Sequence, residues 1–250
     1  MRVVVAGATG FIGSAATRAI RAAGCEVTAM ARGERATGDV LVWAAGNRSS
    51  DRATHVDAAA LAARGFSHVI YLSTGECYGD APLPWHEDGP TLGASAYAQT
   101  KLVAEQALAG SMILRLGVVY GPGQAPGMVL ATVADALRTN THVALTAGDQ
   151  TRDFVYIDDV ADAIVAALVA QPAIVNIASG VETRVRDAIE MLAGGPSSLL
   201  GFGERALRED EPRRYVLDVR RAELLLGWRA TTSLADGLAA VGASCHGRGS

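Results

Sequence analysis

Lysine is almost missing from this 250-residue chain: of 22 basic residues, 21 are arginine and one is Lys101. Aromatic residues are scarce, at 5%, and the three cysteines, Cys25, Cys77 and Cys245, are odd in number and scattered. Such spacing builds neither a metal site nor a disulfide framework, and it points to a reducing compartment, hence to the cytoplasm. There is no excess of positive charge: the formal net charge is −4 and the pI near 5.7. The basic footprint of a nucleic-acid binder is therefore lacking, although a few local arginines can still meet phosphates on a small ligand. No apolar stretch reaches the roughly 18 residues of a membrane span. The opening Met1-Arg2-Val3-Val4-Val5 runs into glycine too soon for a signal peptide. With 50% hydrophobic residues, 19% charged residues and a mean hydropathy of +0.21, the chain is too apolar to be disordered.

What is present alternates. Val3-Val4-Val5-Ala6 reads as a strand buried on both faces. A glycine-rich turn follows, then a helix over 14–23 closed by Gly24, and a second strand over 26–31. Further strands are expected at 40–43, 68–73 and 112–116, with helices at 53–64 and 97–108 between them. This is the pattern of a doubly wound α/β domain. After Tyr120-Gly121-Pro122-Gly123 the texture changes. We expect a dinucleotide-binding domain over 1–117 and 150–178, a small second lobe over 118–149 and 179–243, and a frayed tail over 244–250.

Three motifs carry chemistry. Gly7-Ala8-Thr9-Gly10-Phe11-Ile12-Gly13 follows a strand and opens a helix. Glycines there let the chain turn sharply and let a pyrophosphate reach the helix amides, although a tight turn between strand and helix would look the same. Tyr97 and Lys101, four apart, share a helix face. An ammonium beside a phenol stabilises the phenolate and brings it toward acid–base work near neutral pH; the alternative is an ordinary helix surface. That the chain's one lysine stands here favours chemistry, since a planar guanidinium does not replace a compact ammonium. Leu72-Ser73-Thr74-Gly75-Glu76 ends a strand, where open α/β sheets bind ligands. The Thr74 hydroxyl can hold a carbonyl or an alcohol there.

Together these residues resemble the extended short-chain dehydrogenase/reductase family, in its nucleotide-sugar epimerase/dehydratase branch. Further echoes are Trp43-Ala44-Ala45-Gly46, Leu114-Arg115-Leu116-Gly117 running on to Gly123, Arg152-Asp153-Phe154-Val155-Tyr156-Ile157-Asp158-Asp159, and the closing Leu226-Gly227-Trp228. The resemblance implies a Rossmann-type sheet, catalysis by Thr74, Tyr97 and Lys101 with Glu76 as a further candidate, and dimerisation through the Tyr97 helix. It implies cofactor contacts at Gly7, Thr9, Gly10, Phe11, Ile12, Gly13, Arg32, Ala44, Ala45, Gly46, Tyr97, Lys101, Tyr120 and Pro122. Substrate contacts fall on Thr74, Gly75, Glu76 and Arg152, the last toward a diphosphate, with Arg213 and His86 as further candidates. No metal is expected. Asp158-Asp159 looks like a metal pair, but in the family this place is a helix cap and structural contact.

The departures from the family pattern are informative. Only eight residues, 32–39, separate the second strand from Val40. At about 3.3 Å each they reach roughly 26 Å, enough for coil but not for a crossover helix. A sheet one strand short follows. Met30-Ala31-Arg32 offers a guanidinium and no carboxylate at the end of the second strand, which favours NADP over NAD. Gly75 stands where the 4,6-dehydratases carry an acid, which argues against that activity. Trp85-His86-Glu87 sits before the catalytic helix as a lid or as simple packing. The chain reads as a reductase of a nucleotide-linked keto-deoxysugar. The alternatives are a redox-neutral epimerase, dehydratase or decarboxylase and, outside enzymes, a non-catalytic cofactor-binding protein.

Overall fold

The computed structural model describes residues 1–31, 33–46, 56–124 and 127–246. Along the chain run β1 (Arg2–Ala6), α1 (Phe11–Ala22), β2 (Glu26–Met30), β3 (Val40–Trp43), α2 (Ala58–Ala63), β4 (His68–Thr74), α3 (Ala96–Ala107) and β5 (Met112–Leu116). Then come β6 (Val118–Tyr120), α4 (Val129–Thr139), β7 (Val143–Leu145), β8 (Thr151–Tyr156), α5 (Ile157–Ala167) and β9 (Ile174–Ile177). The chain closes with β10 (Glu182–Arg184), α6 (Val185–Ala193), β11 (Leu200–Phe202), α7 (Arg220–Leu226) and α8 (Leu234–His246).

Among the described residues the main sheet has six strands in the order β2-β1-β3-β4-β5-β9, all parallel. Its strands are apolar runs because helices cover both faces. In β1, Val3 and Val5 enter one core with α1 and α5, while Val4 and Ala6 enter the other with α2 and α3. The two-residue side-chain period of a strand dictates that split. β2 is the edge strand, as the eight-residue connection demands, and its residues are largely exposed. The chain returns from it as coil, and Asp39 reaches back to β1 through its amide, on the Arg2 carbonyl at 2.8 Å, and its carboxylate, on the Arg2 amide at 2.7 Å.

The later strands build outside this sheet. β8 pairs in parallel with β6 and antiparallel with β10, and β11 pairs with β7. Helices α4, α6 and α8 close over them around Val133, Phe154, Ile189 and Leu238. α5, which follows β8 directly, returns to the main sheet and packs on its core. α8 runs on to His246, past the point where a tail was expected. The C-terminal ends of β4, β5 and β9 meet this second layer, Tyr215 Oη donating to the Leu116 carbonyl and a Cβ on Gly117 falling 2.8 Å from the Asp153 carbonyl oxygen.

Candidate active site

The glycine turn is a cradle made by absent side chains. Gly7 has φ +79°, and a Cβ there would lie 2.7 Å from the Ala44 carbonyl oxygen and the Ala45 amide. A Cβ on Gly13 would lie 2.0 Å from the Gly7 carbonyl oxygen. The Gly10 amide closes the turn on the Gly7 carbonyl at 2.9 Å. α1 then starts with no side-chain cap and no acid in its first turn. Its free amides and dipole are left to an anion, which is the fit a dinucleotide's pyrophosphate needs. Thr9 is exposed at the rim, Phe11 and Ile12 are half-buried against the core, and Ala44, Ala45 and Gly46 form the facing wall. Arg32 lies outside the described residues. The expectation that no carboxylate stands at this strand end is corrected: the turn at Gly33 (φ +82°) folds Glu34 back, and its Oε2 accepts from the Ala31 amide at 2.9 Å.

The catalytic candidates meet where β4 ends. Thr74 is its last residue, and Thr74 Oγ1 accepts from the Glu76 amide at 3.2 Å, capping a short 3-10 turn over Gly75–Tyr78. α3 is set by its own cap, Ser95 Oγ accepting from the Ala98 amide at 3.1 Å. That start turns Tyr97 and Lys101 toward β4. Lys101 is 5% exposed. Lys101 Nζ donates to the Leu72 carbonyl at 2.8 Å and lies 4.7 Å from the Tyr71 ring centroid and 5.8 Å from that of Tyr97. Burial brings the Lys101 ammonium down to about 8, because a charge removed from water is harder to hold. The same burial pushes the Cys77 thiol up to about 12, so this buried cysteine is not a nucleophile.

Behind Lys101 lies a polar network that sequence reasoning missed. Glu105 Oε1 accepts from Ser73 Oγ at 2.5 Å and from Arg115 Nε at 3.1 Å, and Glu105 Oε2 accepts from Arg115 Nη2 at 2.6 Å. The Arg115 guanidinium stacks 4.8 Å from the Tyr78 ring centroid, and Tyr78 Oη donates to Asn176 Oδ1 at 2.7 Å. The network ties β4, α3, β5 and β9 together. Its one sequence signal was a charged residue inside the apolar strand Met112–Leu116.

At Glu76, just past the end of β4, opens a cavity of about 230 Å³, whose lining also includes Arg152, Arg205, Arg208, Glu211 and Tyr215. Arg152 is buried, its Nη1 donating to the Thr151 and Pro212 carbonyls at 2.5 and 2.9 Å and its Nη2 to Glu211 Oε1. Arg205 and Arg208, not anticipated from sequence, supply further positive charge. Arg213 is exposed and outside this lining: its segment is held by the backbone, the Arg213 carbonyl accepting from the Thr151 amide. His86 is likewise exposed. The lid reading gives way to packing, since Trp85 is 1% exposed and its backbone bridges Val216 and Asp218. Tyr120 is 2% exposed, packed in the core around Phe154 with its Oη donating to the Leu234 carbonyl at 3.4 Å. Pro122 follows β6, half-buried. Asp159 is structural rather than a cap: its carboxylate accepts from the amides of Thr231 and Thr232, at 3.2 and 3.1 Å. Among the described residues no group of side chains is arranged to hold a metal ion, and no helix is long and apolar enough to cross a membrane.

The model of the NAD dependent epimerase/dehydratase family matches residues 3–58 and 50–178. A UDP-glucose 4-epimerase of Mycolicibacterium smegmatis is 34% identical over 195 residues, covering 70% of this chain and 61% of that protein; the chain thus spans about three fifths of the relative's length. A dTDP-6-deoxy-L-talose 4-dehydrogenase (NAD(P)(+)) of Kitasatospora kifunensis is 27% identical over 93% of this chain and 92% of its own. The solved structure of MoeE5 in complex with UDP-glucuronic acid and NAD superposes with a TM-score of 0.84 at 27% identity, covering 98% of this chain and 99% of that one. With the family model matching well over half of the chain, and a relative 34% identical over 70% of it, the chain belongs to the NAD dependent epimerase/dehydratase family.

Proposed function

We propose that this protein is an NAD(P)H-dependent reductase of a keto group on a nucleotide-linked deoxysugar, the type reaction being that of an NDP-4-keto-6-deoxyhexose ketoreductase. The observation that carries the reading is the pairing at α3: the single lysine, buried beside Tyr97 and lowered to about 8. A separate cavity lined by arginines lies at Glu76, two residues past the end of β4. The glycine cradle would hold the dinucleotide through the α1 amides, and a bound nicotinamide would supply the hydride. Tyr97 donates its hydroxyl proton to the carbonyl oxygen as that oxygen becomes an alkoxide. Lys101, charged below about pH 8, stabilises the tyrosinate left behind. Thr74 hydrogen-bonds the same oxygen, and Arg152 with Arg205 and Arg208 meets the diphosphate. Fixed donors aimed at the developing charge supply most of the rate. Two residues of opposite sign bear on the dinucleotide: Arg32 favours a 2′-phosphate and so NADP, and Glu34 favours the free ribose hydroxyl of NAD.

A redox-neutral epimerase is the second reading, favoured by the 34% identity to a UDP-glucose 4-epimerase. A dehydratase is less well supported, because Gly75 brings no acid to the strand end. A homodimer formed through α3 and residence in the cytoplasm complete the proposal.

The test is oxidation of NADPH and NADH, in turn, with a dTDP-4-keto-6-deoxyhexose. Consumption with an alcohol product is expected, and Tyr97→Phe should lower turnover about 10²- to 10⁴-fold while retaining the dinucleotide. Conversion of the sugar without reductant would install the epimerase reading. Full activity of Tyr97→Phe would remove the mechanism.

A further inference from the structure

We propose that Tyr215 is a positioning residue for Thr74, its hydroxyl giving Thr74 a partner that lets it donate to a substrate carbonyl and accept from the alcohol that carbonyl becomes. The inference deepens the function proposed above and rests on its carbonyl–alcohol chemistry.

Tyr215 is far from the catalytic motifs in sequence and 2% exposed in the fold. Its Oη donates to the Leu116 carbonyl at 3.1 Å, and Leu116 is the β5 residue that pairs with Thr74 of β4, which puts the phenol oxygen beside the Thr74 side chain. The ring is held in place: it meets Trp85 edge-on, centroids 4.7 Å apart, and the Tyr215 amide donates to Thr151 Oγ1 at 3.3 Å. Gly75 makes room for it. A Cβ at position 75 would lie 2.4 Å from the Tyr215 oxygen and 2.9 Å from Cζ. The place beside Thr74 where a residue at 75 could offer its own side chain is thus filled by a phenol from the other end of the chain.

Proton counting gives that phenol a role. A threonine hydroxyl has one proton and two lone pairs. One lone pair of Thr74 is taken by the Glu76 amide. With its proton on Tyr215, Thr74 can only accept from a ligand, which suits an alcohol. To hold a carbonyl oxygen, Thr74 must turn its proton outward. Tyr215 then turns its own proton from the Leu116 carbonyl to Thr74 Oγ1. In both arrangements each hydroxyl keeps its own proton, and no covalent bond changes. Burial holds the Tyr215 phenol well above the usual tyrosine range, so the hydroxyl stays intact at any working pH.

Tyr215→Phe removes one oxygen and keeps the ring against Trp85. In the keto-sugar assay it should lower kcat about tenfold or more, with KM for the nucleotide sugar within about twofold and the circular-dichroism spectrum unchanged. The double variant, Thr74→Val with Tyr215→Phe, should lose little more than Thr74→Val alone, because both changes act through one hydroxyl. Thr74→Ser, which keeps the hydroxyl, should retain the sensitivity to Tyr215→Phe. Unchanged kcat in Tyr215→Phe overturns the proposal, as does a product of two independent losses in the double variant. A wild-type protein that converts no nucleotide sugar overturns it together with the function it rests on, and that is seen before any variant is made.

Discussion

The two ends of the cleft are built from different materials. At the dinucleotide end the working groups are backbone amides, exposed by glycines, and none of the buried charged residues of the described chain falls within 7–13 or 44–46. At the catalytic end Lys101, Glu105, Arg115, Arg152 and Asp153 are all buried. The first end works by leaving side chains out, which a run of seven residues can arrange alone. The second works by taking charge out of water, which is costly unless partners from elsewhere satisfy it. Asp153 shows the scale of that satisfaction: its carboxylate accepts from the amides of Ser179, Gly180 and Leu217 and from the Ser179 hydroxyl.

The contrast can be broken most directly at Arg115. Arg115→Met leaves Glu105 buried with its cation gone, and unfolding in urea should show a loss of about 3–5 kcal/mol. Replacing both partners, Glu105→Leu with Arg115→Met, should recover much of that loss. If the single variant costs less than about 1 kcal/mol, the buried charges are not interdependent and the contrast fails.

Lys101 sharpens it through pH. The folded ammonium titrates near 8, against an ordinary 10.5. Between those values the unfolded chain binds more protons than the folded one, so stability rises with pH. Measured against Lys101→Met, the wild type should gain up to about 3 kcal/mol from pH 8 to pH 10.5, and kcat should fall over the same interval as the cation is lost. A flat stability difference would mean that the charge is not held out of water. The smallest effect is expected at Glu211, which is partly exposed and pairs with Arg152. On the proposed reading of the Arg152 cavity, Glu211 occupies the place of an anionic substrate, so Glu211→Gln should lower KM for the nucleotide sugar roughly two- to fivefold. An increase in KM would make Glu211 a substrate contact instead.

The dinucleotide end was legible in the sequence because its information is local. Gly7, Gly10 and Gly13 are spaced by the turn they form, and Tyr97 and Lys101 by one turn of helix. The short connection at 32–39 likewise announced a sheet that stops at β2. The partners of the buried charges were not legible. Glu105 lies one helical turn beyond Lys101 and reads as helix surface until β5 brings Arg115 beneath it. Glu34 reads as loop until the turn at Gly33 returns it to β2. Arg205, Arg208 and Tyr215 belong to a polar stretch with no regular period, and only the pairing of its backbone with residues 85 and 151 brings it to the cavity. For the same reason the sequence did not show that His86 and Arg213 are exposed and lie outside the cavity lining, since polarity in a loop does not tell which way a side chain faces.

By itself the sequence determined the doubly wound sheet, the cradle for an anion and the Tyr97–Lys101 pair, since periodicity, glycine spacing and helical offset act within a dozen residues. The tertiary structure alone decided how Lys101 loses its water, which carboxylate meets Arg115 and which hydroxyl stands beside Thr74. Those are matters of desolvation and hydrogen-bond satisfaction, and they are settled only when strands and loops far apart in the chain close around the same few atoms.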